Sequence, residues 1–205
     1  AIGYQAADGL VGAANDNIAI GHDTLGAVTD ACSGCIAIGK AALKIQTGTA
    51  TVNLAIGDSA GDAVTSGTAN VLVGHTAGSA LADDDQNTAL GYAALAASTA
   101  GSYNTAIGAN CMTAAITDGS NTAVGAHAMA AAAAAMTDNT AVGVNALGNL
   151  NHANAENNVA VGNNAGKFTV DGTPAAVNEA SQSVFIGAGT ESADQDKVNE
   201  IVIGY

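Results

Sequence analysis

The chain has no tryptophan and only 3% aromatic residues, so the usual suppliers of buried area in a thick globular core are missing. Arginine is absent too. The basic residues are four lysines, Lys40, Lys44, Lys167 and Lys197, set against 18 Asp and Glu, for a formal net charge of −14. A nucleic-acid surface needs clustered cations to displace counterions from phosphate, and this chain has almost none to cluster. Attraction to anionic membranes is disfavoured on the same ground. No apolar run approaches the roughly eighteen residues that a membrane span requires. Neither nucleic acid nor membrane insertion is therefore expected of this segment, and the excess acid keeps an Ala-rich surface soluble by mutual repulsion.

What is present is small. Of 205 residues 48% are apolar, drawn mostly from Ala, Val and Ile, and 26 are Gly. Such side chains suit thin, tightly stacked strands. A five-residue motif of the form Asn-x-Ala-(Ile/Val/Leu)-Gly recurs with its glycine at Gly3, Gly21, Gly39, Gly57, Gly74, Gly91, Gly108, Gly125, Gly143, Gly162, Gly187 and Gly204. The spacing is 17 to 19 residues throughout, except for 25 between Gly162 and Gly187. Self-similarity at a fixed short period is the signature of a solenoid.

Each column around the glycine has a physical sense. One residue before it stands Ile, Val or Leu; three before it stands an aliphatic residue or, in consecutive copies, Thr88, Thr105, Thr122 and Thr140. Positions two apart in a strand share a face. The residue between them is Ala in nine of twelve copies, with Leu72, Phe185 and Val202 as exceptions, so that face lies close to something. The Thr file, sharing its column with Ile18, Ile36 and Val71, is expected to face inward. Four before the glycine come Asn17, Asn53, Asn70, Asn87, Asn104, Asn121, Asn139 and Asn158, with Cys35, Ser183 and Glu200 in place of Asn elsewhere. Asn at every turn can bond its own backbone and stack on the next, forming a ladder, while Gly supplies the φ freedom to leave the strand sharply. Three and four beyond the glycine lies a second small-apolar pair, such as Ala42-Leu43, Ala94-Leu95 and Ala146-Leu147, which predicts a second short strand or an inward wall.

The fold expected is all-β: one parallel β-solenoid, or β-roll, over residues 1–205, of about eleven coils, with a loop insertion near 167–182 holding Pro174. At ~4.8 Å between stacked strands it makes a rod on the order of 50 Å long. The run Ala130 to Ala135 favours helix by propensity, but the 18-residue interval from Gly125 to Gly143 requires it to fit inside an ordinary coil. The chain opens at Ala1 and closes at Tyr205 in mid-motif, as expected of a piece of a longer protein.

The copies Asn17-Ile-Ala-Ile-Gly21, Asn104-Thr-Ala-Ile-Gly108 and Asn158-Val-Ala-Val-Gly162 resemble the head repeat of YadA-type trimeric autotransporter adhesins and the shaft repeats of phage tail fibres. The end, Asn199-Glu-Ile-Val-Ile-Gly-Tyr205, looks like fibre segments that precede a C-terminal trimerisation or chaperone domain. The resemblance covers nearly the whole chain. It implies a left-handed β-roll in a coaxial homotrimer, and the 17-to-19-residue coils, longer than those of the adhesin heads, favour the fibre relatives. A trimer has separate physical support. A thin roll that is apolar or Ala on both faces leaves a long apolar strip in water unless copies cover it.

Candidate chemistry is sparse. Cys32-Ser-Gly-Cys35 is a single CxxC with no neighbouring His, a weak zinc signal. The bland interpretation, small column fillers with a local disulfide open to them outside the cell, is preferred, and it extends to Cys111. Interchain bridges are the sharper idea. Asp83, Asp84 and Asp85 are a weak calcium candidate, since one acidic loop without an EF-hand pattern is usually solvated. His22, His75, His127 and His152 form no ligand spacing and are expected to face outward. No catalytic constellation emerges and no cofactor is expected.

The function expected is a non-enzymatic structural or adhesive shaft of a phage tail fibre or similar surface fibre. It would be extracellular, on the virion surface, and would project a tip toward a cell-surface receptor or glycan. The insertion near 167–182 is the first candidate for receptor contact. A bacterial trimeric adhesin head on the outer surface, binding host or matrix, is the near alternative. An ice-binding solenoid built on the Thr file is the alternative from another class.

Overall fold

The structure, a computed structural model, describes residues 1–10, 14–28, 32–47, 50–99, 101–114, 119–131, 136–150, 155–166, 181–191 and 199–204. Eleven strands of three residues each stack in chain order into one parallel sheet, and no helix occurs among the described residues. They are β1 (Ile18–Ile20), β2 (Ile36–Ile38), β3 (Leu54–Ile56), β4 (Val71–Val73), β5 (Thr88–Leu90), β6 (Thr105–Ile107), β7 (Thr122–Val124), β8 (Thr140–Val142), β9 (Val159–Val161), β10 (Val184–Ile186) and β11 (Ile201–Ile203). Register is strict: Thr88 pairs with Thr105, Ala89 with Ala106 and Leu90 with Ile107, and every other neighbour pair follows the same columns. The chain is a β-solenoid. The longer spacing before Gly187 does not disturb the stack, since Val159, Ala160 and Val161 still pair with Val184, Phe185 and Ile186.

The middle residue of each strand points inward. Ala19, Ala37, Ala55, Leu72, Ala89, Ala106, Ala123, Ala141, Ala160 and Phe185 are all buried. Facing them are the small-apolar pairs beyond the glycine, including Ala42-Leu43, Ala94-Leu95, Cys111-Met112, Ala128-Met129 and Ala146-Leu147, also buried. This second segment is a turn rather than a strand, an inward wall. A third inward file lies seven residues beyond the glycine, with Val28, Val64, Leu81 and Leu150 buried.

The wall is built of left-handed residues. Leu25, Leu43, Leu95 and Leu147 have φ of 46 to 52°, and the residues two before them, Asp23, Ala41, Ala93 and Asn145, have φ of 51 to 56°. Alternation lets the turn bond both ways along the stack: the Ala41 N–H donates down to His22 O at 2.8 Å, and the Leu43 N–H donates up to Ala60 O at 3.0 Å. A left-handed non-Gly residue costs about 1–2 kcal/mol. Full burial of Leu contributes about 1.5–3 kcal/mol, and the intercoil bonds add to it, so burial wins.

Three of these wall positions are instead glycine, and each faces an oversized strand residue. A Cβ on Gly61 or Gly78 would meet a Leu72 methyl at 2.6 Å, and one on Gly166 would meet the Phe185 ring at 3.0 Å. Two of the three exceptions in the Ala column, Leu72 and Phe185, are thus matched by missing side chains opposite, which keeps the interior close-packed there.

The outward placement of the other strand columns corrects one expectation. The Thr file and its aliphatic neighbours do not face the interior. Thr88, Thr105, Thr122 and Thr140 are half-buried on the outer face, as are Ile36, Leu54 and Val159, while Ile18 and Val71 are exposed. The interior is too thin for them: only Ala fits against the opposite Ala-Leu wall, so the larger β-branched columns take the outside. The expected loop insertion at 167–182, with Pro174, falls almost wholly outside the described residues. So do Ala132 to Ala135, although Ala130 and Ala131 lie in a turn, with the Ala131 N–H donating to Gly148 O.

Candidate functional site

The feature that sets this solenoid apart is its outer sheet face. In every strand the first and third residues point outward, and none of them is charged. The third is always Ile, Val or Leu; the first is aliphatic except in β5 to β8, where it is Thr. Exposure is high for such residues: Ile18 46%, Leu90 45%, Ile186 41% and Val161 40%. The parallel register aligns them into two unbroken files along the whole stack. Large contiguous apolar surface is uncommon on a protein that stands alone in water.

The Asn ladder ties each coil to the next beside that face. The N–H of Asn70 donates to Asn53 Oδ1, that of Asn87 to Asn70 Oδ1 and that of Asn104 to Asn87 Oδ1, each at 2.9 Å. Asn121, Asn139 and Asn158 continue the series at 3.0 to 3.1 Å. The amide nitrogens reach across the turn: Asn53 Nδ2 to Gly67 O at 2.7 Å and Asn139 Nδ2 to Ala155 O at 2.8 Å. Asn17 starts the ladder by accepting from the Cys35 N–H at 2.9 Å, and the Ser183 N–H extends it from Asn158 at 3.1 Å. Seven of the eight Asn are buried, and Asn17 is partly so. The ladder carries structure rather than ligand chemistry.

Glycines of the repeat turn the chain at φ of 126 to 142° in the described coils from Gly21 to Gly187. Gly21, Gly39, Gly57, Gly74, Gly91, Gly108, Gly125, Gly143 and Gly162 each lie against the carbonyl group of the next repeat glycine, with no room for a side chain.

The acidic triplet does not converge. Asp83 accepts from Thr65 Oγ1 at 2.6 Å and Ser66 Oγ at 2.7 Å, which holds its carboxyl below the usual range. Asp85 accepts from the Thr68 N–H at 2.7 Å and Thr68 Oγ1 at 2.9 Å. Both clasp the preceding coil. Asp84 points the other way, into the interior, where burial pushes its carboxyl up. No group of three or more His, Cys, Asp or Glu placed to hold a metal occurs among the described residues.

His22, His75 and His127 are exposed, and His152 lies outside the described residues. His22 stacks on Tyr4 with ring centroids 5.3 Å apart, and His75 on Tyr92 at 5.4 Å. These stacks follow from the register, because each ring occupies the position after a repeat glycine in adjacent coils. The column after the glycine carries that signal, and it is missed when the histidines are compared only with one another. Cys32, Cys35 and Cys111 are buried free thiols. Cys111 faces its own chain's interior, donating to Ala123 O at 3.4 Å, and burial pushes its thiol up to about 12. No helix among the described residues is long and apolar enough to cross a membrane.

The fold and the face define a class, a parallel β-solenoid with one uncharged aliphatic and threonine surface. No family model matches the chain, and no curated protein and no solved structure matches it either.

Proposed function

We propose that this chain is a length of extracellular fibre shaft, without catalytic activity, whose outer sheet face is buried against copies of itself. The stack is read as a left-handed roll in a coaxial homotrimer that holds a receptor-binding tip away from its anchor, as in a phage tail fibre or similar surface fibre. One observation carries the proposal: the two outward files, aliphatic except for Thr in the first file of β5 to β8, run along all eleven strands with no charge among them. Water on such a strip is costly at about 25 cal/mol per Å², and a two- or threefold arrangement of identical chains removes it without any other partner. The net charge of −14 then sits on the remaining surfaces and opposes side-by-side aggregation of finished rods. The resemblance of the Asn-x-Ala-Ile-Gly copies to fibre and adhesin repeats points the same way.

The test is to place charge on the face. Ile107→Lys with Val124→Lys, both half-buried on β6 and β7, should leave the β-sheet circular dichroism intact and reduce the particle to a single chain. An unchanged particle mass would overturn the proposal.

A second reading has one specific observation in its favour. The Thr file of β5 to β8 faces outward in register, Thr88 to Thr105 to Thr122 to Thr140, as a water-ordering ice-binding surface requires. Aliphatic residues fill the same column in the other seven strands, which favours protein contact. Thermal hysteresis in the purified chain would reverse that preference.

A further inference from the structure

Uniform files make an apolar face but set no height on it. Each strand offers nearly the same outward pair as its neighbours, so a second copy displaced by one coil, about 4.8 Å, buries almost the same surface. Copies that stop at one height need a feature that occurs once along the stack. Two edges border the face. One is the position just before the ladder residue, as Tyr103 stands before Asn104; the other follows the repeat glycine, as Tyr92 follows Gly91.

Along the second edge, Tyr4, His22, Lys40, Asp58, His75 and Tyr92 put a ring or a charged group on six successive coils. The column then drops to Ala109 and Ala126 before Val144. Tyr92 is 57% exposed, Ala109 is exposed and Ala126 is half-buried. His75 stacks on one side of the Tyr92 ring, with centroids 5.4 Å apart and planes 9° apart. Since His75 belongs to the coil before, the uncovered side of that ring looks toward Ala109 in the coil after. A notch two coils wide results, floored by alanine, with an aromatic face at one end and exposed Val144 at the other, about 14 Å away.

Tyr103 is the one aromatic residue along the first edge. It is 60% exposed and held at φ 65°, a left-handed conformation that L-residues resist, and no ring stacks on it among the described residues. Tyr103 and Ala109 flank the same strand, β6, on opposite sides, about 20 Å apart, so they cannot meet within one chain. Rotation about an axis parallel to the stack keeps every residue at its own height. A two- or threefold arrangement therefore brings Tyr103 of one copy to Ala109 of the next.

We infer that Tyr103 is a key that fixes the axial register between copies: its ring enters the notch of the neighbouring copy, over Ala109 and Ala126, and stacks on the open side of that copy's Tyr92. The key rests on the proposal that identical chains cover the outer face, and it supplies what that face lacks. Offset rings stack at about 4.5–7 Å between centroids, which the notch admits. Other coils match across the two edges as well: Gly34 is level with Lys40 and Ala69 with His75, small against long. Gln86 is level with Tyr92, where its amide can hydrogen-bond the phenol. A slip of one coil drives Tyr103 into the Tyr92 ring in one direction and takes it out of stacking range in the other.

The chain's own tyrosines supply the test. Particle mass is measured by sedimentation, and the same sample is photo-oxidised with a ruthenium tris-bipyridyl complex and persulfate, which joins tyrosines in contact. Denaturing electrophoresis should show covalent multiples of the chain, and peptide mapping should find Tyr92 joined to Tyr103. Ala109→Leu, at an exposed position clear of the interior, should fill the notch, remove that product and weaken assembly tenfold or more. Tyr103→Ala should weaken it to a similar extent, and combining the two should add little. A single-chain mass at every concentration would sink the covering of the face by copies, and the key with it. An assembled mass without the Tyr92–Tyr103 product, with Tyr103 joined to Tyr4 instead, or with Ala109→Leu assembling as tightly as the unaltered chain would overturn the key alone.

Discussion

A Cβ placed on Gly91 would stand 2.5 Å from the carbonyl oxygen of Gly108 in the next coil, where φ is already +140°. Backbone meets backbone there, so nothing can give way. Gly91→Ala therefore should cost about 3 kcal/mol or more, from steric overlap and a φ that alanine resists. Gly189, at φ +65° with nothing within 4 Å of its added Cβ, is the control. Gly189→Ala should cost about 1 kcal/mol, the left-handed penalty alone. Urea unfolding of the two variants makes the comparison.

Leu72 and the glycines opposite it yield a paired prediction. Leu72→Ala returns the strand to its usual residue but leaves Gly61 and Gly78 across a void, at a cost of about 2–5 kcal/mol. Adding Gly78→Leu should recover part of that loss, since Leu95 occupies the same wall position with φ 52° in the next coil. Gly78→Leu alone should be the worst of the three, because Leu72 already fills the space. The unfolding midpoints should rank the double variant highest, Leu72→Ala next and Gly78→Leu lowest.

Asn121 is a junction of the ladder. Its Oδ1 accepts both the backbone N–H and the Nδ2 of Asn139 at 3.1 Å, and its Nδ2 donates to Met136 O at 2.7 Å. Asn121→Ala orphans these groups in the interior, and each buried unmade bond costs about 1–3 kcal/mol. Hydrogen exchange should locate the loss: the Asn139 amide should lose protection far more than amides of β1 or β11.

Asp83 and Asp84 should answer acid in opposite directions. Hydrogen bonds from Thr65 and Ser66 lower the Asp83 carboxyl, so its contribution is present above the ordinary value of 3.8 and is lost as pH falls through the folded value. Burial raises Asp84, so its charged form penalises the fold once pH climbs through the raised folded value, and the penalty is absent below 3.8. Asp84→Asn should stabilise the chain at neutral pH, with the advantage gone below pH 3.8. Asp83→Asn should show a deficit at neutral pH that shrinks in acid. Paired urea titrations across pH give both signs.

Much of this architecture is legible in the residues alone. The glycine register, the in-line pairing of columns and the Asn ladder all follow from residues whose roles are set by backbone need: Gly where a close approach forbids Cβ, Asn where an N–H one coil on needs an acceptor. The orientation of the sheet is not legible. A period of two says that Thr105 and Ile107 share a face and Ala106 has the other, but not which face is inside. That depends on the width of the interior, which is set by the wall across the sheet, Ala94-Leu95, Cys111-Met112 and Ala146-Leu147, all of them buried.

The strands are also shorter than the five-residue motif suggests, because the Asn and Gly at its ends are taken up by the ladder and the turn. The pairing of Cys35 with Gln46 is hidden for another reason: each is one exception in a separate column, and only the fold brings the two columns together.

The central claim is that copies of this chain cover the outer aliphatic face, and the particle mass in solution tests it most directly. Sedimentation equilibrium of the purified chain should return three times the mass of one chain, unchanged on dilution through the micromolar range. A single-chain mass at every concentration, with the sheet intact by circular dichroism, would contradict it.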